Sequence, residues 1–168
     1  MAFKHLSSRQ VTDAQWDHVE SLGVKTVFGN AFNRRIWDLT VDEERGFYLV
    51  SRGMYGRNMT GADSDVYFYA LCLDDNVFYF ELTLDSTGDA WSNSYERHYH
   101  VNGVGFPDGW DFSKLSVDRF KQIATEAFTA ETHKIYSPEM LKEVTVDFPE
   151  NFVDKICDRE KRNKDDKK

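Results

Sequence analysis

The chain has 168 residues, with 21 Lys and Arg against 29 Asp and Glu, a net charge of −8, and 15% aromatics. That length suits one domain with a core of its own, needing no metal or disulfide to fold. The acidic balance excludes electrostatic capture of free nucleic acid or an anionic membrane, and points to a basic protein as partner.

In chain order, the segment Met1 to Ser8 lacks an apolar run of signal-peptide length, and no window approaches a membrane span. The cytoplasm is therefore the expected compartment. Thr12 and Gln15 form a capping-box pattern, and Gly23 stands where a helix-terminating glycine belongs. With Trp16, Val19 and Leu22 on one side, they predict a first helix of about three turns. Val24 to Phe28 reads as a short strand. Arg34 to Thr40 and Phe47 to Ser51 read as a hairpin with a charged tip over Val41 to Gly46. A glycine-containing loop from Gly53 to Ser64 carries Tyr55 and Arg57, residue types enriched at interfaces.

The strongest local signal is the hairpin from Val66 to Leu84, two aromatic, β-favouring runs about a polar turn. A three-residue loop Asp74-Asp75-Asn76, pairing Leu73 with Val77, puts Phe68, Ala70 and Cys72 on one face with Phe78, Phe80 and Leu82. That face is the expected core. Trp91 to Val101 reads as another strand, with Arg97, Tyr99 and Val101 on one face and Glu96, His98 and His100 on the other. A glycine-containing loop from Gly103 to Trp110 follows. Ser116 caps a helix to about Thr132, whose stripe is Phe120, Ile123, Ala124, Ala127 and Phe128.

Ser137-Pro138-Glu139 predicts a short helix, and Val144 to Phe148 a last short strand. Phe148-Pro149-Glu150 predicts a final helix with Phe152, Val153, Ile156 and Cys157 inward. Cys72 and Cys157 both read as buried free thiols. The expected domain is residues 1–157, and the charged run 158–168 reads as a disordered tail. The tail carries six basic and four acidic residues, which leaves the body at −10. The fold class expected is α+β: a meander-like antiparallel sheet of about five or six strands, an N-terminal helix, and two or three C-terminal helices packed on the sheet.

Two constellations could carry function. Glu96, His98 and His100 project together from one strand and could give a divalent metal such as zinc two nitrogens and a carboxylate, with Glu81 as a fourth ligand. Against them stand the turns. In a meander, Asp42, Glu43 and Glu44 fall at the same end of the sheet as Asp74 and Asp75, forming an acidic rim that would steer a basic protein. No Gly-x-Ser-x-Gly elbow or other complete catalytic set occurs. The reading is therefore a non-enzymatic, cofactor-free binding module, most concretely an immunity-protein-like inhibitor of a basic nuclease toxin. Its contacts would be Asp42, Glu43, Glu44, Asp74, Asp75, Tyr55 and Arg57. The metal site is the alternative, and a small-ligand pocket between the aromatic sheet face and the C-terminal helices is the second.

Overall fold

The computed structural model describes residues 3–29, 32–52, 66–89, 91, 94–133, 139–150 and 152. The elements run β1 (Lys4–Leu6), α1 (Asp13–Ser21), α2 (Val24–Phe28), β2 (Trp37–Asp42), β3 (Phe47–Arg52), β4 (Val66–Leu73), β5 (Asn76–Asp89), β6 (Ser94–Gly105), α3 (Val117–Thr132) and β7 (Leu141–Asp147). The strands form one seven-stranded sheet in chain order, curled into a half-barrel. Five neighbouring pairs are antiparallel, but β6 and β7 are parallel.

This corrects the expected fold. The sheet is mixed and has seven strands, and the C-terminal side contributes one described helix rather than two or three. The physical reason is the connection. A tight turn reverses the chain, whereas the 16-residue helix α3 carries it back to the end from which β6 started, so β7 enters parallel. The stretch expected to be helical after Pro138 is β7 from Leu141 on. Past it, Phe152 closes a single turn on the Pro149 carbonyl at 3.1 Å, and residues 153–168 lie outside the described residues.

The first helix has the predicted cap. Thr12 accepts from the Gln15 amide at 3.1 Å, and the Gln15 side chain accepts from the Thr12 amide at 2.9 Å. Gly23 follows with φ 109°, a backbone that side-chain-bearing residues rarely adopt. Val24 to Phe28, expected as a strand, is the helix α2. Its β-branched residues favour a strand, but Val24 and Phe28, four apart, are both buried against the sheet, and that packing decides.

The register of the central hairpin also differs from expectation. Asp74 and Asp75 alone form the turn, so Leu73 pairs with Asn76 and Leu71 with Phe78. The concave core face is then Tyr67, Tyr69, Leu71 and Leu73 with Phe78, Phe80 and Leu82. Phe68, Ala70 and Cys72 face the convex side with Tyr79 and Val77, under α1 and α2. Both faces of β4 are apolar, so alternation there cannot choose between registers; the seating of Tyr69 on Glu131 and of Phe80 on Phe120 of α3 does. A bulge in β6 at Asn102 separates Val101, opposite Leu82, from Gly103, opposite Glu81. It lets β6 continue inward-facing from Val101 to Val104, through a segment that reads as a loop.

α3 lies in the concavity. Phe120 stacks on Phe80 at 5.8 Å and on Phe152 at 6.0 Å, while Trp110 meets Phe78 edge-on at 4.9 Å. At the other end of α3, Glu131 is fully buried and accepts hydrogen bonds from the Tyr69 phenol, at 3.0 Å, and the Tyr99 phenol. Thr132 bonds Tyr99 at 2.8 Å, and the Arg97 guanidinium lies 5.5 Å from the Tyr99 ring centre. A buried carboxylate is tolerable only with such partners.

Removing it takes the acceptor from the Tyr69 phenol and a compensating charge from buried Arg97, so Glu131→Ala should lower stability by about 3–5 kcal/mol in urea unfolding. Burial, then the neighbouring Glu131 charge, holds both phenols well above the usual tyrosine value of 10.0. A raised folded pKa stabilises below the unfolded value and is lost above it. Stability should therefore fall steeply as pH rises past about 10, and the double substitution Tyr69→Phe, Tyr99→Phe should flatten that fall.

Candidate functional site

The β2–β3 and β4–β5 turns emerge side by side at one end of the sheet, because Tyr48 pairs with Cys72 and each hairpin closes just beyond that pair. Glu43, Glu44, Asp74 and Asp75 are all exposed there. The closeness shows in Tyr48, whose phenol is raised first by burial and then by the charges of Glu43 and Asp75. His18 of α1 lies over the Tyr48 ring at 5.3 Å, and Gln15 donates to Glu43 at 2.9 Å. The rim thus has a floor built by α1 and β3.

The Asp74-Asp75 turn is unusual. Both residues are left-handed, with φ of 49° and 64°. A two-residue turn of this kind favours Asn-Gly, because glycine carries no Cβ penalty and asparagine tolerates the conformation. Two aspartates here place two adjacent carboxylates in solvent at some conformational cost.

Asp42 does not belong to the exposed set. It is 2% exposed on the concave side of β2 and paired to Arg45 at 2.5 Å, with the Arg45 amide donating to it at 3.1 Å. Burial works against its charge, but these bonds outweigh it and the carboxyl lies below its usual 3.8. The same arginine bonds Glu126 of α3 at 3.2 Å and covers the rings of Phe3 and Phe47 at 5.7 and 5.0 Å. Asp42 is therefore a structural anchor that locks the β2–β3 turn to α3. Tyr55 and Arg57 lie outside the described residues.

Glu96, His98 and His100 do share the convex face of β6. Their rings turn to different partners: His98 Nδ1 to Thr145 at 2.6 Å and Nε2 to Glu96 at 3.5 Å, His100 to Asp85 at 3.1 Å and Asp147 at 3.4 Å. Among the described residues, no three His, Cys, Asp or Glu side chains converge as a metal centre requires. Glu81 sits further along β5, opposite Gly103.

Several features escape sequence reasoning. The concave face of β2 carries Asp38, Thr40 and Asp42, all buried, with His5 bonded to Thr40 at 3.2 Å and facing Asp38 at 3.4 Å. The other strand of this cluster, β1, is three residues long and has no alternating run to reveal it. The sheet concavity is filled by α3, and a groove of about 590 Å³ opens instead on the outward flank of that helix. The chain matches no protein-family model, no curated protein and no solved structure. No helix among the described residues is long and apolar enough to cross a membrane.

Two outcomes follow for the rim. Asp75→Gly should stabilise the fold by about 0.5–1 kcal/mol, by removing a left-handed Cβ. Arg45→Ala should cost about 2–3 kcal/mol near neutral pH, since it leaves a buried carboxylate unpaired. Because Asp42 has a lowered pKa, the Arg45 contribution is complete well above pH 3.8 and fades as the pH falls through the folded value. Thermal melts of both variants at pH 7 and in acid measure this.

Proposed function

We propose that the chain is a non-enzymatic binding protein that inhibits a basic protein, in the manner of an immunity protein neutralising a nuclease toxin. Glu43, Glu44, Asp74 and Asp75 make the contact. The observation that carries this reading is the Asp74-Asp75 turn. It keeps two adjacent exposed carboxylates in left-handed conformations, beside two more from the neighbouring turn. Where glycine would relieve the backbone, the chain holds charge.

Carboxylates on a rigid tip stand in for phosphate groups against a basic cleft, raise the association rate, and repel acidic competitors. The anchoring of the β2–β3 turn through Arg45 to α3 supports this role, since a preorganised turn loses little entropy on docking. The binding should weaken with salt, because the tip is exposed and screening acts on it fully.

The test is co-production with a panel of basic nuclease toxin domains, scored by growth rescue and by affinity at about 50 and 500 mM salt. Wild type should rescue against a cognate domain. The pair Asp74→Asn, Asp75→Gly should fold at least as stably and bind at least about tenfold more weakly. A panel with no salt-sensitive complex, or rescue untouched by the turn substitutions, defeats the reading.

A further inference from the structure

The acidic tip adjoins the groove on α3, and Arg45 joins the two. The groove lies between the two ends of the curled sheet. Phe3, just before β1, forms one wall, Val146 of β7 and Phe148 beyond it form the other, and α3 is the floor. Arg45 sits in the β2–β3 turn, covers Phe3, and bonds Glu126 on the groove floor. A partner seated on the tip therefore reaches the groove without a gap.

The groove is built for apolar side chains. Thr125 and Thr129 turn their hydroxyls back onto the carbonyls of Lys121 and Thr125, at 2.8 and 2.7 Å, so those polar atoms ask nothing of an occupant. Lys121 lies over Phe148 and Phe152 at 5.5 and 5.9 Å, which disfavours a second cation pointing inward. Asp118 and His133 both line the groove. They stand fifteen positions apart along the helix, about 22 Å, room for six or seven extended residues at ~3.3 Å each.

The wall on the β7 side offers more than side chains. β7 is the last strand of the sheet among the described residues, and one row of its backbone N–H and C=O groups points away from β6. A segment lying there can add as a further strand. Its side chains would alternate between the groove and the convex face, where Glu143 and Asp147 are exposed.

We propose that the groove is the second half of the partner footprint. It takes an extended segment of the same basic protein, in which apolar residues alternate with lysine or arginine. The apolar set fills the space between Phe3, Val146 and Phe148, and the cations meet Glu143 and Asp147. This rests on the reading of the tip as the docking site for a basic protein.

The probe is a ten-residue peptide of alternating valine and lysine, added to the whole protein, with amide hydrogen exchange of β7 followed by NMR. The peptide should slow exchange at alternate residues of 141–147. Thr129→Arg, and independently Gln122→Trp, should weaken it about tenfold while circular dichroism stays unchanged. The tip variant Asp74→Asn, Asp75→Gly should bind the peptide as wild type does, so the groove and the tip are scored separately. Unaltered β7 exchange at saturating peptide, or wild-type affinity in both groove variants, overturns the proposal and leaves the tip standing. Concentration-dependent dimerisation that protects β7 without peptide would assign the edge to a second copy and also overturn it.

Discussion

Glu131 is held from two strands that are not neighbours. Tyr69 stands on β4 and Tyr99 on β6, with β5 between them, and both phenols donate to the one carboxylate. Strands two apart in a flat sheet lie about 9.5 Å from each other. Long side chains from both can meet one acceptor above the sheet when the sheet bends toward it. The curl and the seat of α3 are thus one constraint, enforced by the cost of a buried charge without partners. The aromatic packing of Phe120 and Phe128 against Phe80 then fills the same concavity and makes the arrangement dry.

The curl decides what remains for partners. α1 and α2 cover the convex face over β2 to β5, while the convex face of β5 to β7 carries Asp85, Glu96, His98, His100 and Asn102 in mutual hydrogen bonds and ion pairs, or bonded to neighbouring threonines. The two ends of the sheet approach across α3 without joining, which leaves a groove rather than a closed barrel. At one end of the strands, the turns of two hairpins stand together with their acids in solvent. One turn of the tip is anchored through Arg45 and the other is strained, a combination that serves binding better than stability.

Much of the local structure is legible in the residues. The Thr12 capping box, the Ser116 cap, the apolar stripe of α3 and the β2–β3 hairpin each follow from a short-range rule, and each stands in the structure. The stripe predicted for α3 is the buried face of that helix. The grouping of the two acidic turns at one end was also readable, because it needs only that consecutive strands be neighbours. What misled was local ambiguity. β4 is apolar on both faces, Val24 to Phe28 is β-branched yet helical, and Asp42 looks like an exposed turn residue although Arg45 draws it into the interior.

By itself the sequence determined where most strands and the two longer helices lie, their caps and the acidic turns, since these depend on neighbours within a few residues. Only the tertiary structure decided the hairpin register, the parallel return of β7, the burial of Asp42 and the groove. Each depends on which distant surfaces meet: the sheet and helix bury charge and aromatic rings together, and that balance is summed over the whole molecule, not over any one segment.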